Sequence, residues 1–119
     1  MADLTIFHNP NCSTSRHAMS VLQEQGVDAD VVQYLKTPPD RATLEHLVEI
    51  LEDPVEDLVR HDSYFEELGL DPGAYTEPAA VIDLLLEHPR LLQRPVLVKG
   101  NRAIIGRPKD RVEPFVTGS

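Results

Sequence analysis

The sequence has almost no sulfur with which to cross-link itself, because its 119 residues include a single cysteine, Cys12. One cysteine cannot close an internal disulfide, so the chain is not a secreted scaffold built on disulfides, and a reducing cytoplasm is the expected location. A chain of this length can bury a core without such cross-links and has the size of one compact domain. We therefore expect a single domain over residues 1–119.

Basic residues are also scarce, with 11 Lys and Arg against 20 Asp and Glu, for a net charge of −9. The average field repels nucleic acid and anionic membranes, so neither is an expected partner. No apolar run approaches the roughly 20 residues of a membrane span, and the first residues lack the basic and apolar regions of a signal peptide. We expect the acidic surplus, including Glu52 and Asp53, to form a solvated face.

The first third of the chain has the pattern of a strand, a helix and a second strand. The apolar segment Leu4–Phe7 stops at Asn9-Pro10 and predicts a strand, and the helical spacing from Ser15 onward, ended by Gly26, predicts a helix. The apolar residues of Val31–Leu35 predict the second strand. Such a unit favours parallel strands with a right-handed crossover.

The remainder is predicted to be helical first and then to return to strands. Three helices are expected: one over Leu44–Leu51 with Asp40 as its N-cap, a short one after Pro54, and one that ends before Pro89. Two strands that flank Gly100-Asn101 then form a hairpin, and a last helix is expected within Pro108–Val116. The predicted fold class is α/β and thioredoxin-like, with βαβ and ββα halves and a helical insertion at about 40–90 between them.

Cys12 is predicted to lie in the turn between the first strand and the first helix. The free N–H groups of that helix end, and its dipole, favour a thiolate and can make a cysteine nucleophilic at neutral pH. The polar neighbours of Cys12 do not suggest an apolar pocket for a merely structural cysteine. Because Ser15 stands where a Cys-x-x-Cys pair would have its second sulfur, an external thiol must resolve any adduct of Cys12. The cysteine-phosphatase loop is disfavoured too, because Ala18 stands where its arginine would be.

Three arginines are candidate ligands for an anion. Arg60 follows a predicted short helix, while Arg94 and Arg107 lie at the ends of predicted strands, where binding groups are often presented. Each guanidinium offers two parallel donors that suit a tetrahedral oxyanion. The sequence spacing does not show that the three converge. No histidine has a trustworthy metal-ligand spacing, so no metal or bound cofactor is expected.

Four segments resemble the glutaredoxin-coupled arsenate reductase family, in the same order and over nearly the whole chain. They are His8-Asn-Pro-Asn-Cys-Ser-Thr-Ser-Arg16, Leu58-Val-Arg60, Gln93-Arg-Pro-Val96 and Ile105-Gly-Arg-Pro108. The resemblance implies that Cys12 attacks the arsenic of bound arsenate, that glutathione is the external reductant, and that glutaredoxin completes the reduction to arsenite. It also implies site residues: Arg60, Arg94 and Arg107 hold the oxyanion, His8 and Ser15 support the thiolate, and Pro95 is a cis-proline beside the site.

The chain departs from well-known members of this family in two respects. Ser13 stands where they carry glycine, and the chain is shorter at its C-terminus, so it is most similar to a short, less-characterised branch. Two alternatives therefore stay open. One is a redox-responsive regulatory protein of the same fold, of the kind that binds RNA polymerase, although such proteins usually carry Cys-x-x-Cys. The other is a glutathione-linked oxidoreductase that acts on a different substrate.

Overall fold

The computed structural model describes residues 4–117 and has an α/β fold with helices on both faces of one sheet. Within this range there are four strands and five α-helices: β1 (Leu4–His8), α1 (Ser13–Glu24), β2 (Ala29–Gln33), α2 (Arg41–Ile50), α3 (Ser63–Glu67), α4 (Pro78–Glu87), β3 (Val96–Lys99), β4 (Arg102–Ile105) and α5 (Val112–Thr117). Short 3₁₀ turns occupy Val55–Leu58, Pro72–Ala74, Pro89–Leu91 and Lys109–Arg111. The predicted thioredoxin-like arrangement is confirmed.

The strand order in the sheet is β2-β1-β3-β4. Strand β1 pairs in parallel with β2, as predicted for a βαβ unit, and antiparallel with β3. Strands β3 and β4 form the predicted hairpin around Gly100-Asn101, and Gly100 has the positive φ of 62° that such a turn favours. Strand β4 also has a neighbour on its outer side, because the chain after α2 forms a parallel bridge from Leu51 to Ala103.

Alternate side chains of the strands enter two separate core clusters, one on each face of the sheet. On one face, Leu4 and Ile6 of β1 pack with residues of α1 and α5. On the other face, Phe7 of the same strand packs with residues of the helical insertion. Because successive side chains of a strand point to opposite faces and both faces are buried, the sequences of the central strands are nearly continuous apolar runs.

The predicted elements differ from the observed ones in two places. Strand β2 ends at Gln33, so Tyr34 and Leu35 lie in the turn that follows it. Helix α3 was not predicted, because its five residues are too few to show a helical repeat of apolar residues. Its N-cap, Asp62, accepts a hydrogen bond from the Phe65 N–H at 3.1 Å.

Candidate active site

Cys12 is the N-cap residue of α1 and is only 9% exposed. The loop that leads to it from β1 is held by its own hydrogen bonds. The Cys12 N–H donates to the Asn9 carbonyl at 3.1 Å, and the Asn11 N–H donates to Asn9 Oδ1 at 2.9 Å. The tight turn predicted between β1 and α1 therefore fixes the sulfur against the first turn of the helix.

The surroundings of Cys12 favour the thiolate. Burial alone would raise the pKa of the thiol, but several groups outweigh it and lower the pKa below its ordinary value of 9.0. In decreasing order of effect they are the Ser15 N–H, the Arg94 side chain, the Thr14 N–H and the charge of Arg107. The helix N-terminus thus acts on the sulfur as predicted from the sequence.

Two of the three predicted arginines meet at the sulfur. Arg107 Nη2 lies 3.3 Å from Cys12 Sγ, and Arg107 Nε donates to the Arg94 carbonyl at 2.7 Å. The Arg94–Pro95 peptide is cis, as the family resemblance implies. Arg94 Nε is buried and has no hydrogen-bond partner within residues 4–117, so this arginine retains a donor for an incoming acceptor.

Arg60 has a different setting from the other two arginines. Its Nε donates to Asp62 Oδ2 at 3.1 Å and its Nη1 donates to Gln93 Oε1 at 3.2 Å. Arg60 and Arg107 both line an open cleft of about 620 Å³. Cys12 does not line this cleft; Arg107 connects the cleft to the sulfur.

His8 and Ser15 form a buried pair beneath the loop. His8 Nδ1 lies 2.6 Å from Ser15 Oγ, and the Asn9 N–H donates to the same oxygen at 3.0 Å. Burial, and to a smaller extent the charge of Arg16, lower the pKa of His8, so the imidazole is neutral at neutral pH. These contacts hold the end of β1 against the first turn of α1, whose Ser15 N–H favours the thiolate.

Three residues near this site were not predicted from the sequence: Tyr34, Asp53 and Arg111. Tyr34 is fully buried, and the charges of Arg94 and Cys12 both act on its phenol, yet it was placed in a strand. Asp53 was assigned to a solvated face, but it accepts a hydrogen bond from the Ile105 N–H at 2.9 Å and pairs with Arg111. No local signal in the sequence indicates these contacts, which join segments that are distant along the chain.

Within residues 4–117, no three His, Cys, Asp or Glu side chains are grouped as they would be to hold a metal ion. None of the helices described over the same residues is long and apolar enough to cross a membrane.

The fold and the site together define a class of protein: a thioredoxin-like domain with one cysteine of lowered pKa next to arginine guanidinium groups. Residues 7–115 match the sequence pattern of the ArsC family. The chain belongs to that family, which confirms the resemblance stated from its motifs.

Individual relatives cover almost the entire chain. An arsenate reductase of Neisseria meningitidis serogroup B is 39% identical over 115 residues, which are 95% of this chain and 97% of the relative. An uncharacterized protein of Escherichia coli K12, YfgD, is 40% identical over 113 residues, or 93% and 94% of the two chains. The solved structure of an arsenate reductase from Vibrio cholerae has a TM-score of 0.79 and 34% identity over 92% of this chain and 93% of that one.

Proposed function

We propose that this protein reduces arsenate to arsenite, with the Cys12 thiolate as the nucleophile and glutathione and glutaredoxin as the source of electrons. The observation that carries the proposal is the contact of 3.3 Å between Arg107 and the Cys12 sulfur, at a thiol whose pKa is lowered. A thiolate and an oxyanion repel one another. Guanidinium groups at the point of attack offset that repulsion, and such preorganised charge is a main source of catalytic rate.

The chemistry requires an external thiol. Attack by Cys12 forms a sulfur–arsenic bond, and one arsenate oxygen leaves as water after it takes up protons. Reduction of arsenic(V) to arsenic(III) needs two electrons, which two thiols supply as they form a disulfide. Because Cys12 is the only cysteine, both of these thiols are external. Glutathione bonds to the arsenic of the Cys12 adduct and a second oxygen leaves as water; the glutaredoxin thiolate then attacks the glutathione sulfur, and formation of this mixed disulfide transfers two electrons to arsenic. Water then releases arsenite from Cys12. The cytoplasm, where glutathione keeps thiols reduced, suits this cycle.

Site roles follow from this proposal. Arg94 and Arg107 hold the oxyanion at the sulfur, and Arg60 holds it from the cleft side. His8 and Ser15 keep the first turn of α1 in place, and Pro95 sets the backbone that presents the Arg94 carbonyl to Arg107. Ser13, the first residue of α1, is exposed and directly follows Cys12.

The test is a coupled assay with the purified chain, arsenate, glutathione, glutaredoxin, glutathione reductase and NADPH, in which arsenite is also measured directly. We expect arsenite to form with the wild type and not with Cys12→Ser. We expect Arg60→Gln, Arg94→Gln and Arg107→Gln each to lower kcat/KM about 10- to 100-fold, because a charge-assisted hydrogen bond contributes about 1.5–3 kcal/mol. Arg41→Gln, which removes an exposed arginine paired with Asp83, is the matched control and should have no effect.

Three results of that assay would contradict the proposal. Oxidation of NADPH without arsenite would indicate a glutathione-linked oxidoreductase with another substrate. Activity that survives Cys12→Ser would exclude this cysteine as the nucleophile. No activity with either arsenate or a disulfide substrate would instead favour a regulatory role.

A further inference from the structure

Arg107 reaches the sulfur from a short connection between β4 and the 3₁₀ turn at Lys109–Arg111. Neither regular helix nor strand hydrogen bonds fix the backbone of this connection, although the position of the guanidinium depends on it. The side chain itself is anchored at one point, where Nε donates to the Arg94 carbonyl at 2.7 Å. The Gly106 N–H donates to the Pro95 carbonyl at 2.8 Å and holds one side of this connection, and one further contact, made by side chains, holds the rest.

Arg111 supplies one half of that contact. Its Nη1 donates to the Ile105 carbonyl at 3.0 Å and to the Arg107 carbonyl at 3.2 Å. A single guanidinium thus holds the carbonyl groups on either side of Gly106. Arg111 forms no hydrogen bond with the Cys12 sulfur.

Asp53, in the segment between α2 and the 3₁₀ turn at Val55–Leu58, supplies the other half. Its Oδ2 accepts the Ile105 N–H at 2.9 Å, and its two oxygens pair with Arg111 at 2.9 Å and 3.1 Å. The side chains of Asp53 and Arg111 are only 14% and 33% exposed. A bidentate pair that is partly shielded from water holds its geometry better than an exposed ion pair does.

We propose that Asp53 and Arg111 are positioning residues for the reaction at Cys12: as one bidentate pair they hold the backbone of residues 105–107 so that the Arg107 guanidinium stays against the sulfur. The inference rests on the proposed function in one respect only, namely that Arg107 binds the substrate. The contacts between the pair, the backbone and the sulfur do not depend on what the substrate is.

The chain contains a matched control in the neighbouring pair of Glu52 and Arg102. These residues also join the insertion to β4 through a bidentate contact, at 2.6 Å and 3.1 Å, but they are 39% and 45% exposed. Neither of them has a recorded hydrogen bond to residues 105–107. The two pairs therefore have similar chemistry and location, and only one of them is connected to Arg107.

The test is the pH dependence of Cys12 alkylation by iodoacetamide, measured on the full chain without substrate. The charged side chains that act on the sulfur are Arg94 and Arg107. Removal of the negative charge of Asp53 would, by direct electrostatics alone, lower the pH midpoint of alkylation. If the pair positions Arg107, Asp53→Asn should instead raise the midpoint by about 0.5 unit or more, since an opposite charge in contact is worth roughly 1–3 units.

Further variants distinguish the positioning of Arg107 from a general effect of charge on the sulfur. Arg111→Lys should raise the midpoint less than Arg111→Gln does, because lysine keeps the charge and loses the planar fork. Glu52→Gln and Arg102→Gln should leave it unchanged. In an Arg107→Gln background, Asp53→Asn should no longer raise the midpoint, because the group it positions has been removed.

A lowered or unchanged midpoint in Asp53→Asn would overturn the inference, and so would an equal rise in the Arg107→Gln background. If circular dichroism shows that Asp53→Asn does not fold, Arg111→Lys carries the same test, and an unchanged midpoint in that variant overturns the inference. Because the titration needs no arsenate, it succeeds or fails independently of the coupled assay.

Discussion

At the scale of single residues, three buried polar side chains next to the site are in contrasting states. Ser15 and His8 satisfy one another at 2.6 Å, whereas the Tyr34 hydroxyl has no hydrogen-bond partner within residues 4–117. Burial raises the pKa of Tyr34, so the phenol stays protonated at neutral pH. We therefore expect substitution of Tyr34 and substitution of the His8–Ser15 pair to have opposite consequences for stability.

Tyr34→Phe should not destabilise the protein. A buried hydroxyl without a partner costs about 1–3 kcal/mol of desolvation, so its removal should leave the free energy of unfolding unchanged or increase it. Tyr64→Phe is the control, because the Tyr64 hydroxyl lies 3.2 Å from His88 Nδ1 and its loss should cost about 0.5–1.5 kcal/mol. Urea denaturation measures both variants. An equal loss in the two would show that Asn9 or Arg94, which both act on the phenol, stabilises the Tyr34 hydroxyl.

His8 should make the protein sensitive to mild acid. As the pH falls through the ordinary His value of 6.5, His8 of the unfolded chain takes up a proton and buried His8 of the folded chain does not, because its pKa is lowered. The free energy of unfolding should therefore decrease from pH 6.5 down to the folded pKa and then level off. His8→Asn places an amide near the Nδ1 position and should lack this decrease.

The measurement for His8 is urea denaturation of the wild type and His8→Asn at pH 7.5, 6.5 and 5.5. His46→Asn, at an exposed position of α2, serves as the control for loss of a histidine. Parallel pH profiles for the wild type and His8→Asn would contradict the assignment of a buried neutral imidazole.

At the scale of elements, the site is made by the ends of β1 and β4, the start of β3 and the N-terminus of α1. The loops before β3 and after β4 touch closely, and the Gly106 N–H donates to the Pro95 carbonyl at 2.8 Å. A Cβ on Gly106 would lie 2.8 Å from Pro95 Cγ and 3.0 Å from Leu97 Cδ1. The absence of a side chain at this position is what allows the two loops to meet.

Gly106→Ala should therefore destabilise the protein by about 1–3 kcal/mol, the usual cost of overpacking. Because it forces Pro95 and the residues before Arg107 apart, it should also raise the pH midpoint of Cys12 alkylation. Gly73→Ala is the control, because its Cβ would meet nothing closer than 3.5 Å. Thermal unfolding and iodoacetamide titration check both effects, and similar melting temperatures for the two variants would argue against a close contact at Gly106.

The elements that the sequence predicted are those whose signals are local. Asp40 caps α2 as expected and accepts the Thr43 N–H at 2.8 Å, and the Gly100-Asn101 turn joins two antiparallel strands. The position of Cys12 was predicted because a strand end and a helix start are also local features. The Asp53–Arg111 pair and the burial of Tyr34 were not predicted, because each depends on contacts between segments that are distant in the sequence.

At the scale of the whole molecule, one sheet lies between two hydrophobic cores and contributes side chains to both. Helices α1 and α5 cover one face, and the insertion covers the other. Strands β1 and β3 contribute buried side chains to both cores. Displacing these strands would therefore expose both cores to water at once. The loops around Cys12 lie at one end of this shared sheet and depend on both cores for their position.

We expect residues 4–117 to unfold as one cooperative unit, in keeping with the single domain predicted from the sequence. Near-UV absorption reports on the insertion side, because all three tyrosines belong to or pack on that core. Far-UV circular dichroism reports on the helices of both sides. The two urea transitions should have the same midpoint; an earlier midpoint for the tyrosine signal would show that the insertion melts separately.

The crossing of residues 51–53 past β4 limits how this chain can vary in length. Leu51 forms a bridge to Ala103, the Glu52 N–H donates to the Ala103 carbonyl at 2.9 Å, and Asp53 accepts the Ile105 N–H. One residue added here would move the carboxylate by about 3.3 Å along an extended chain, farther than a hydrogen bond can stretch. Insertions and deletions should therefore be rejected at this crossing, which sets the boundary for any graft of the helical segment onto a related scaffold.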